Sequence, residues 1–152
     1  MKELTVDAVP ESLRQIKAFV DAELAALDCP MDMRRQMDIA VDEVFGNIAH
    51  YAYEGAAGSV MLRFEAEQTP RAVTLTFSDG GVPFDPLQTV TPDTTLAARA
   101  RAIGGLGIFV VKKLMDEVRY EYADGKNILR LKKRIAGERR PVRGRYPPLS
   151  EK

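Results

Sequence analysis

The segment Ile103–Val118, IGGLGIFVVKKLMDEV, sets three glycines in front of an apolar pattern with helical spacing. A glycine inside a helix costs roughly 1 kcal/mol relative to alanine, so Gly104, Gly105 and Gly107 need a reason other than helix formation. Free N–H groups at a helix N-terminus attract anions, and glycines allow a phosphate group to approach them closely. The segment therefore fits a phosphate site, and it equally fits a glycine-rich turn before a core helix.

The pattern on either side of this segment predicts an α+β domain. Apolar positions alternate where strands are expected and recur every three or four residues where helices are expected. The expected order is strand, helix, helix, hairpin, long connection, helix, hairpin, with strands near residues 4–6, 60–65, 73–79, 118–122 and 128–135. This order favours a two-layer α/β sandwich in which helices cover one face of a mixed, mainly antiparallel sheet.

Length and composition are those of one folded domain with a short basic tail. The chain has 152 residues, 45% of them hydrophobic, and we assign residues 1–135 to the domain and 136–152 to a flexible tail. Its 22 basic and 22 acidic residues balance, so the composition does not favour nucleic acid or an anionic membrane as a partner. Cys29 is the one cysteine and no apolar run has membrane-spanning length, so we expect a cytoplasmic protein.

Two polar residues stand four positions apart in the second predicted helix, within the sequence VDEVFGNIAHYAY. Glu43 and Asn47 therefore share one helix surface. An amide oxygen beside a carboxylate suits Mg²⁺, which keeps water and phosphate oxygens in its shell, and the carboxylate can act as a general base. An ordinary pair of boundary residues that bond to each other or to water would show the same spacing.

An aspartate ends the third predicted strand and two glycines follow it, in the sequence DGGVPFDP from Asp79 to Pro86. A carboxylate above an open glycine backbone can accept a hydrogen bond from the exocyclic amino group of adenine. A plain Asp-Gly-Gly turn at a strand end is the alternative. The long connection that starts here, residues 80–103, has the length of a lid or a binding loop.

The order of these motifs resembles that of a known ATP-binding fold. The chain has neither the GxxxxGK[ST] motif nor GxGxxG after its first strand, which excludes P-loop and Rossmann nucleotide sites. Its motifs instead resemble the N box and the two glycine boxes of the GHKL superfamily, which has the Bergerat fold. Within that superfamily the sequence is most similar to the anti-sigma factor serine/threonine kinases and related histidine-kinase-like ATPase domains, over roughly residues 4–135.

The resemblance implies roles for individual residues and two ligands, ATP and Mg²⁺. By similarity, Glu43 is the general base, Asn47 binds Mg²⁺ and Asp79 recognises adenine. Gly81 lets the adenine ring approach. The remaining glycines border the phosphates, and they are Gly104, Gly105 and Gly107.

The same resemblance implies an activity and its partners. The family's kinases transfer the γ-phosphate of ATP to a serine or threonine of a small anti-sigma antagonist, and the freed kinase then sequesters a sigma factor. These kinases commonly form homodimers. A module that binds ATP and a partner without phosphorylating it is the alternative function, and a protein-contact module with no nucleotide affinity is a third.

Two positions depart from the pattern of the active kinases. Those kinases carry an arginine on the first helix that reaches the γ-phosphate, whereas the corresponding position here is Gln15, next to Arg14. One helix position is a rotation of about 100°, so we expect Arg14 on another face. Many relatives also have a histidine where this chain has Tyr51, and the sole histidine, His50, lies one residue early. These departures bear on catalysis more than on ATP binding.

Overall fold

The structure, a computed structural model, describes residues 1–88 and 107–135. Its strands are β1 (Lys2–Asp7), β2 (Ser59–Gln68), β3 (Arg71–Asp79), β4 (Glu117–Ala123) and β5 (Lys126–Arg134). Its helices are α1 (Leu13–Ala26), α2 (Met31–Asn47) and α3, of which residues 107–114 are described. A 3-10 turn at Pro10–Ser12 leads into α1, and a π-helical turn at Ile48–Ala52 extends α2.

Prolines and turn residues set the boundaries of these elements, as the sequence predicts. Pro10 begins the turn before α1, and Pro30 directly precedes α2. Proline suits these positions because its fixed φ angle is helical and its missing N–H would have no partner there. Asp124 and Gly125 connect β4 to β5 with φ angles of 54° and 75°, and such left-handed conformations match the twist of a two-residue hairpin turn.

All neighbouring strands are antiparallel, in the order β1-β2-β3-β5-β4. The predicted α+β sandwich with a mainly antiparallel sheet is confirmed, whereas the mixed character that we expected is wrong for the described strands. The connection after β3 carries the chain to the far edge of the sheet, where β4 forms. Because β5 then returns between β4 and β3, it runs against both of its neighbours.

One face of the sheet packs against α1 and α2 and forms the hydrophobic core. From α1 come Ile16, Val20 and Leu24, which recur at helical spacing and are at most 2% exposed. The central strands contribute alternate positions, which are Val60, Leu62, Phe64, Val73, Leu75, Phe77, Leu129 and Leu131. Burying one such side chain contributes about 1.5–3 kcal/mol, so this contact holds the two layers together.

The other face of the sheet carries charged side chains in ion pairs. Arg63 contacts Glu3 on the neighbouring strand at 2.9 Å, and Arg130 contacts Glu121 at 2.7 Å. Exposed pairs of this kind contribute about 0–1 kcal/mol each, so they add little to the stability of the fold. A carboxylate that is buried, Asp79, lies on the core-facing side instead.

Some predicted features fall outside the described residues. Residues 89–106 and 136–152 are not described, and they include most of the predicted lid, Gly104, Gly105 and the whole predicted tail. Among the helices that the structure does describe, none has the length and apolar character needed to cross a membrane.

Candidate functional site

Asp79 ends β3 at one end of the core-facing side of the sheet, where it is 5% exposed. Its cross-strand neighbours, Val60 on β2 and Asn127 on β5, are buried as well. The Asp79 Oδ1 atom accepts hydrogen bonds from the Gly81 backbone N–H at 2.9 Å and from the Asn127 side-chain amide at 3.0 Å. A buried carboxylate needs such donors because its removal from water is costly.

The second carboxylate oxygen of Asp79, Oδ2, is an open acceptor. It accepts no hydrogen bond from the residues that the structure describes. Among the described residues, Arg34 Nε is the one side-chain polar atom that is both fully buried and without a hydrogen-bond partner. Since Oδ2 also has no partner there, it is not fully buried. The described residues therefore leave Oδ2 with acceptor capacity for a further hydrogen-bond donor, as the predicted contact with adenine requires.

Asn127 fixes both Asp79 and the loop that follows it. Its Nδ2 atom donates to Asp79 Oδ1 at 3.0 Å and to the Val82 carbonyl at 3.0 Å. Its Oδ1 atom accepts the Phe84 backbone N–H at 3.0 Å and the Tyr120 hydroxyl. Asparagine has two amide hydrogens and one oxygen with two lone pairs, so the hydrogen-bonding capacity of this side chain is fully used.

Tyr120 on β4 supports Asn127 as a hydrogen-bond donor. Burial raises the pKa of Tyr120 above its ordinary value, the backbone hydrogen bond at Phe84 opposes that shift, and the charges of Asp85 and Asp79 add to it. The hydroxyl therefore keeps its proton at neutral pH. Because the hydroxyl stays protonated, Tyr120 acts as the hydrogen-bond donor and Asn127 Oδ1 as the acceptor.

The π-helical extension of α2 holds the same loop from the other side. The Ala52 carbonyl accepts the Val82 backbone N–H at 2.7 Å, and the Tyr53 hydroxyl accepts the Gly80 backbone N–H at 2.7 Å. A Cβ atom added to Gly81 would lie 2.2 Å from the Ala52 carbonyl oxygen. Glycine is thus required at position 81 for the contact between the loop and the helix. This requirement adds to the role predicted for Gly81, which is to leave room for adenine.

Glu43 occupies an exposed position on α2 beside α3. A Cβ atom added to Gly107 would lie 2.0 Å from Glu43 Oε1, so the carboxylate contacts the backbone at Gly107 directly. The structure therefore brings together the predicted general base and one glycine of the predicted phosphate segment. From Glu43 to Ala52 the chain is helical, which separates the two ends of the site by roughly 13 Å along the helix axis.

Asn47 follows Glu43 by one helical turn and is half-buried. Neither side chain hydrogen-bonds to another residue within the described ranges. Those ranges also hold no cluster of three or more acidic, histidine or cysteine side chains that could bind a metal. A magnesium ion beside Asn47 would depend on water and phosphate oxygens for most of its shell, and Mg²⁺ commonly binds nucleotides in that way, so the donor set fits.

Two of the predicted phosphate glycines, Gly104 and Gly105, lie outside the described residues, and Gly107 lies within them. His50 is exposed, and its Nδ1 atom lies 2.8 Å from the Gly46 carbonyl oxygen one turn earlier. The histidine therefore lies on the surface of the π-helical turn, as expected for a residue displaced from the family's position.

The first helix presents its cations in two different ways. Arg14 and Gln15 are both exposed on α1. Lys17 forms ion pairs with Asp42 at 3.1 Å and with Asp38 at 3.4 Å, both on α2. Burial lowers the pKa of Lys17, but these two carboxylates outweigh the burial and leave its pKa raised, so the ammonium group stays charged and joins the two helices.

Sequence reasoning missed Asn127, Tyr120 and Tyr53, which connect the loop after Asp79 to the rest of the domain. For Asn127 a signal was available, since it is a polar residue at a core-facing position of β5, one residue after the strand begins. Tyr53 gave no such signal because its role depends on the irregular turn that follows α2.

The sequence matches a known domain family over most of its length. The chain belongs to the family described as the Histidine kinase-like ATPase domain, which matches residues 6–133. The matched range contains Glu43, Asn47 and Asp79, and also Tyr120 and Asn127, which support Asp79 from β4 and β5.

Individual relatives are similar over most of their length. The chain is 29% identical to the serine/threonine-protein kinase BtrW of Bordetella bronchiseptica over 107 residues, covering 70% of this chain and 74% of that protein. It is 29% identical to the serine-protein kinase RsbW of Bacillus subtilis over 142 residues, covering 90% and 87% respectively.

A solved structure supports the fold. The RsbU and RsbW domains of a Mycobacterium tuberculosis protein match with a TM-score of 0.59 and 16% sequence identity, covering 89% of this chain and 33% of that one. The chain therefore spans about a third of the solved chain, and the likeness concerns the α+β architecture.

Proposed function

We propose that this chain is an ATP-binding protein serine/threonine kinase of the anti-sigma-factor type. In this proposal it phosphorylates an anti-sigma antagonist and regulates a sigma factor by sequestering it. One observation carries the proposal, and it combines two carboxylates. Asp79 is buried and keeps one oxygen free of hydrogen bonds to the described residues, and Glu43 contacts the backbone at Gly107. The helical stretch from Glu43 to Ala52 separates these two ends of the site. The similarity to proteins named serine-protein kinases supports the same activity.

At the adenine end of the site, Asp79 Oδ2 would accept a hydrogen bond from the exocyclic amino group of adenine. Only an acceptor can bind that group, and a carboxylate offers acceptors alone. The hydrogen bonds from Gly81 and Asn127 already occupy Oδ1, which leaves Oδ2 for the ligand.

At the phosphate end of the site, the serine hydroxyl oxygen of the partner would bond to the γ-phosphorus of ATP as the bond between that phosphorus and ADP breaks. Glu43 would accept the proton that the hydroxyl loses. Asn47 would hold Mg²⁺, which supplies positive charge against the phosphate oxygens when it is bound. Gly104, Gly105 and Gly107 would leave room for the phosphates. The exposure of Glu43 supports this role because a protein substrate must reach it.

Phosphorylation would also end the association with the antagonist. An added phosphate brings a charge of about −1.5 to −2, which repels nearby carboxylates and is costly to bury in a packed interface. The kinase released in this way would bind the sigma factor, and we propose that it does so as a homodimer.

The test is phosphate transfer to a co-expressed candidate antagonist that bears a serine, read by intact-mass spectrometry after incubation with Mg·ATP. Glu43→Gln keeps the shape of the side chain but removes the base, so transfer should slow by about 10²- to 10⁴-fold while ATP affinity changes little. Glu65→Gln, on the charged face of the sheet, is the matched control and should transfer phosphate at the native rate. A Glu43→Gln protein as active as the native chain would contradict the assignment of the base.

A second candidate is an ATP-binding partner-switch module without phosphotransfer. It is favoured by the state of the cations on α1, where Arg14 is exposed and Lys17 is held by Asp38 and Asp42. ATP binding that depends on Asp79, with no transfer to any serine-bearing partner by the native chain, would support this module over the kinase.

A further inference from the structure

The side chain of Asn127 has a single possible orientation in its hydrogen-bond network. Its oxygen faces two donors, the Phe84 N–H and the Tyr120 hydroxyl, and its nitrogen faces two acceptors, Asp79 Oδ1 and the Val82 carbonyl. A flipped amide would place donors against donors and acceptors against acceptors, and such unpaired buried groups are costly.

This orientation determines what Asp79 can offer to a ligand. Oδ1 receives two donors, from Gly81 and from Asn127, and a buried oxygen with two donors has no capacity left for a third partner. The ligand therefore meets Oδ2. Because the amide nitrogen of Asn127 lies beside Asp79, the Asn127 oxygen is turned away from this position.

Purine nucleotides differ at the position that such an oxygen would contact. Adenine carries an amino group at C6, which donates, whereas hypoxanthine and guanine carry a carbonyl oxygen there, which accepts. A carboxylate oxygen pairs with the first and repels the second, and a site that leaves a buried polar group unpaired rejects the wrong ligand strongly.

We propose that Asn127, held in place by Tyr120, is a positioning residue that determines base specificity, so that the Asp79 site selects 6-amino purine nucleotides over 6-oxo purine nucleotides. This inference rests on the proposed nucleotide site. It adds to that site a residue on β5 and a residue on β4, which act through Asp79 without touching the base.

The substitution Asn127→Asp tests this role because it preserves the size of the side chain and the oxygen that accepts hydrogen bonds from the Phe84 N–H and the Tyr120 hydroxyl. It also removes the hydrogen bond to the Val82 carbonyl, so the ratio of two affinities is measured and not one affinity alone. It replaces the donor with an acceptor beside Asp79 Oδ1, where the native separation is 3.0 Å. Two carboxyl groups this close share a proton, which takes charge away from Asp79. The hydrogen bond to an amino group then weakens, and the repulsion of a carbonyl oxygen at C6 declines.

The experiment is calorimetric titration of the full chain with ADP and with inosine diphosphate, both in the presence of Mg²⁺. The native chain should bind ADP at least tenfold more tightly than inosine diphosphate, and Asn127→Asp should reduce that ratio about tenfold. Tyr120→Phe removes one donor to Asn127 and should reduce the ratio a few-fold. Tyr122→Phe, an exposed tyrosine on the same strand, is the matched control and should leave the ratio unchanged.

The ratio of the two affinities separates positioning from a merely structural role. If Asn127→Asp and Tyr120→Phe weaken both nucleotides by the same factor, Asn127 only stabilises the loop and the inference is wrong, while the nucleotide site stands. If the native chain, shown to be folded by its thermal transition, binds neither nucleotide, the proposed function itself fails. Should Asn127→Asp not fold, the ratio measured for Tyr120→Phe against Tyr122→Phe decides the question.

Discussion

The two carboxylates of the candidate site differ in how firmly the protein holds them. Asp79 is buried, and a network from three strands and the end of α2 fixes it and the loop beside it. Glu43 is exposed and contacts the backbone at Gly107 without a hydrogen bond to the described residues. Under the proposed function, the end at Asp79 is preorganised to bind the adenine, and the end at Glu43 stays free for the groups that arrive with the phosphates and the protein partner.

Alanine at each of two glycines tests this difference, and it gives the larger of the effects expected here. In Gly81→Ala the new Cβ atom meets the carbonyl oxygen, carbon and Cβ atoms of Ala52 at 2.2–2.7 Å, and backbone atoms cannot move aside. We expect a loss of about 1–3 kcal/mol in the free energy of unfolding, measured by urea denaturation.

In Gly107→Ala the nearest atom is Glu43 Oε1, the end of an exposed and flexible side chain. Glu43 can rotate away, so we expect no loss of stability, and the higher helix propensity of alanine should add up to roughly 1 kcal/mol at this position of α3. Under the proposed function, phosphate transfer should nevertheless fall, because the carboxylate proposed as the general base has moved. Equal destabilisation by the two alanines would contradict the contrast between a fixed end and a free end.

The contrast also explains how far the sequence alone could predict the molecule. The strands and helices follow from alternating and helical spacing, and Glu43 and Asn47 follow from their four-residue separation on a helix. Asn127 pairs with Asp79 across 48 positions of sequence, and no local pattern encodes which strand will lie beside β3. The all-antiparallel pairing was missed for the same reason, since it depends on β5 returning between β3 and β4.

Gly81 shows a second limit. Its sequence context predicted an open backbone beside a ligand, and it did not reveal that a Cβ atom at this position would also meet Ala52. Glycine patterns report that space is needed, and only the packing of α2 against the loop reports which group occupies that space.

A smaller effect is expected on the α1–α2 face, away from both ends of the site. Burial raises the pKa of Asp21, Asp38 adds to the shift, and Arg34 and Lys17 oppose it. A carboxyl group with a raised pKa in the folded state costs no stability below its unfolded pKa of about 3.9, and the cost appears as pH rises through the folded value.

Asp21→Asn should therefore raise the Tm at pH 7 by on the order of 1 °C and leave it unchanged near pH 3, as measured by calorimetric scanning. Nucleotide affinity should stay at the native value, because Asp21 has no contact with the site. An equal rise in Tm at both pH values would show that the charge of Asp21 is not the cause.

The most direct test of the nucleotide site is calorimetric titration of the intact chain with ATP, with and without Mg²⁺. We predict binding in the micromolar range, weakened roughly 10- to 100-fold by Asp79→Asn and made insensitive to magnesium by Asn47→Ala. A folded chain that binds no ATP, or an Asp79→Asn protein that binds it as tightly as the native chain, would contradict the account.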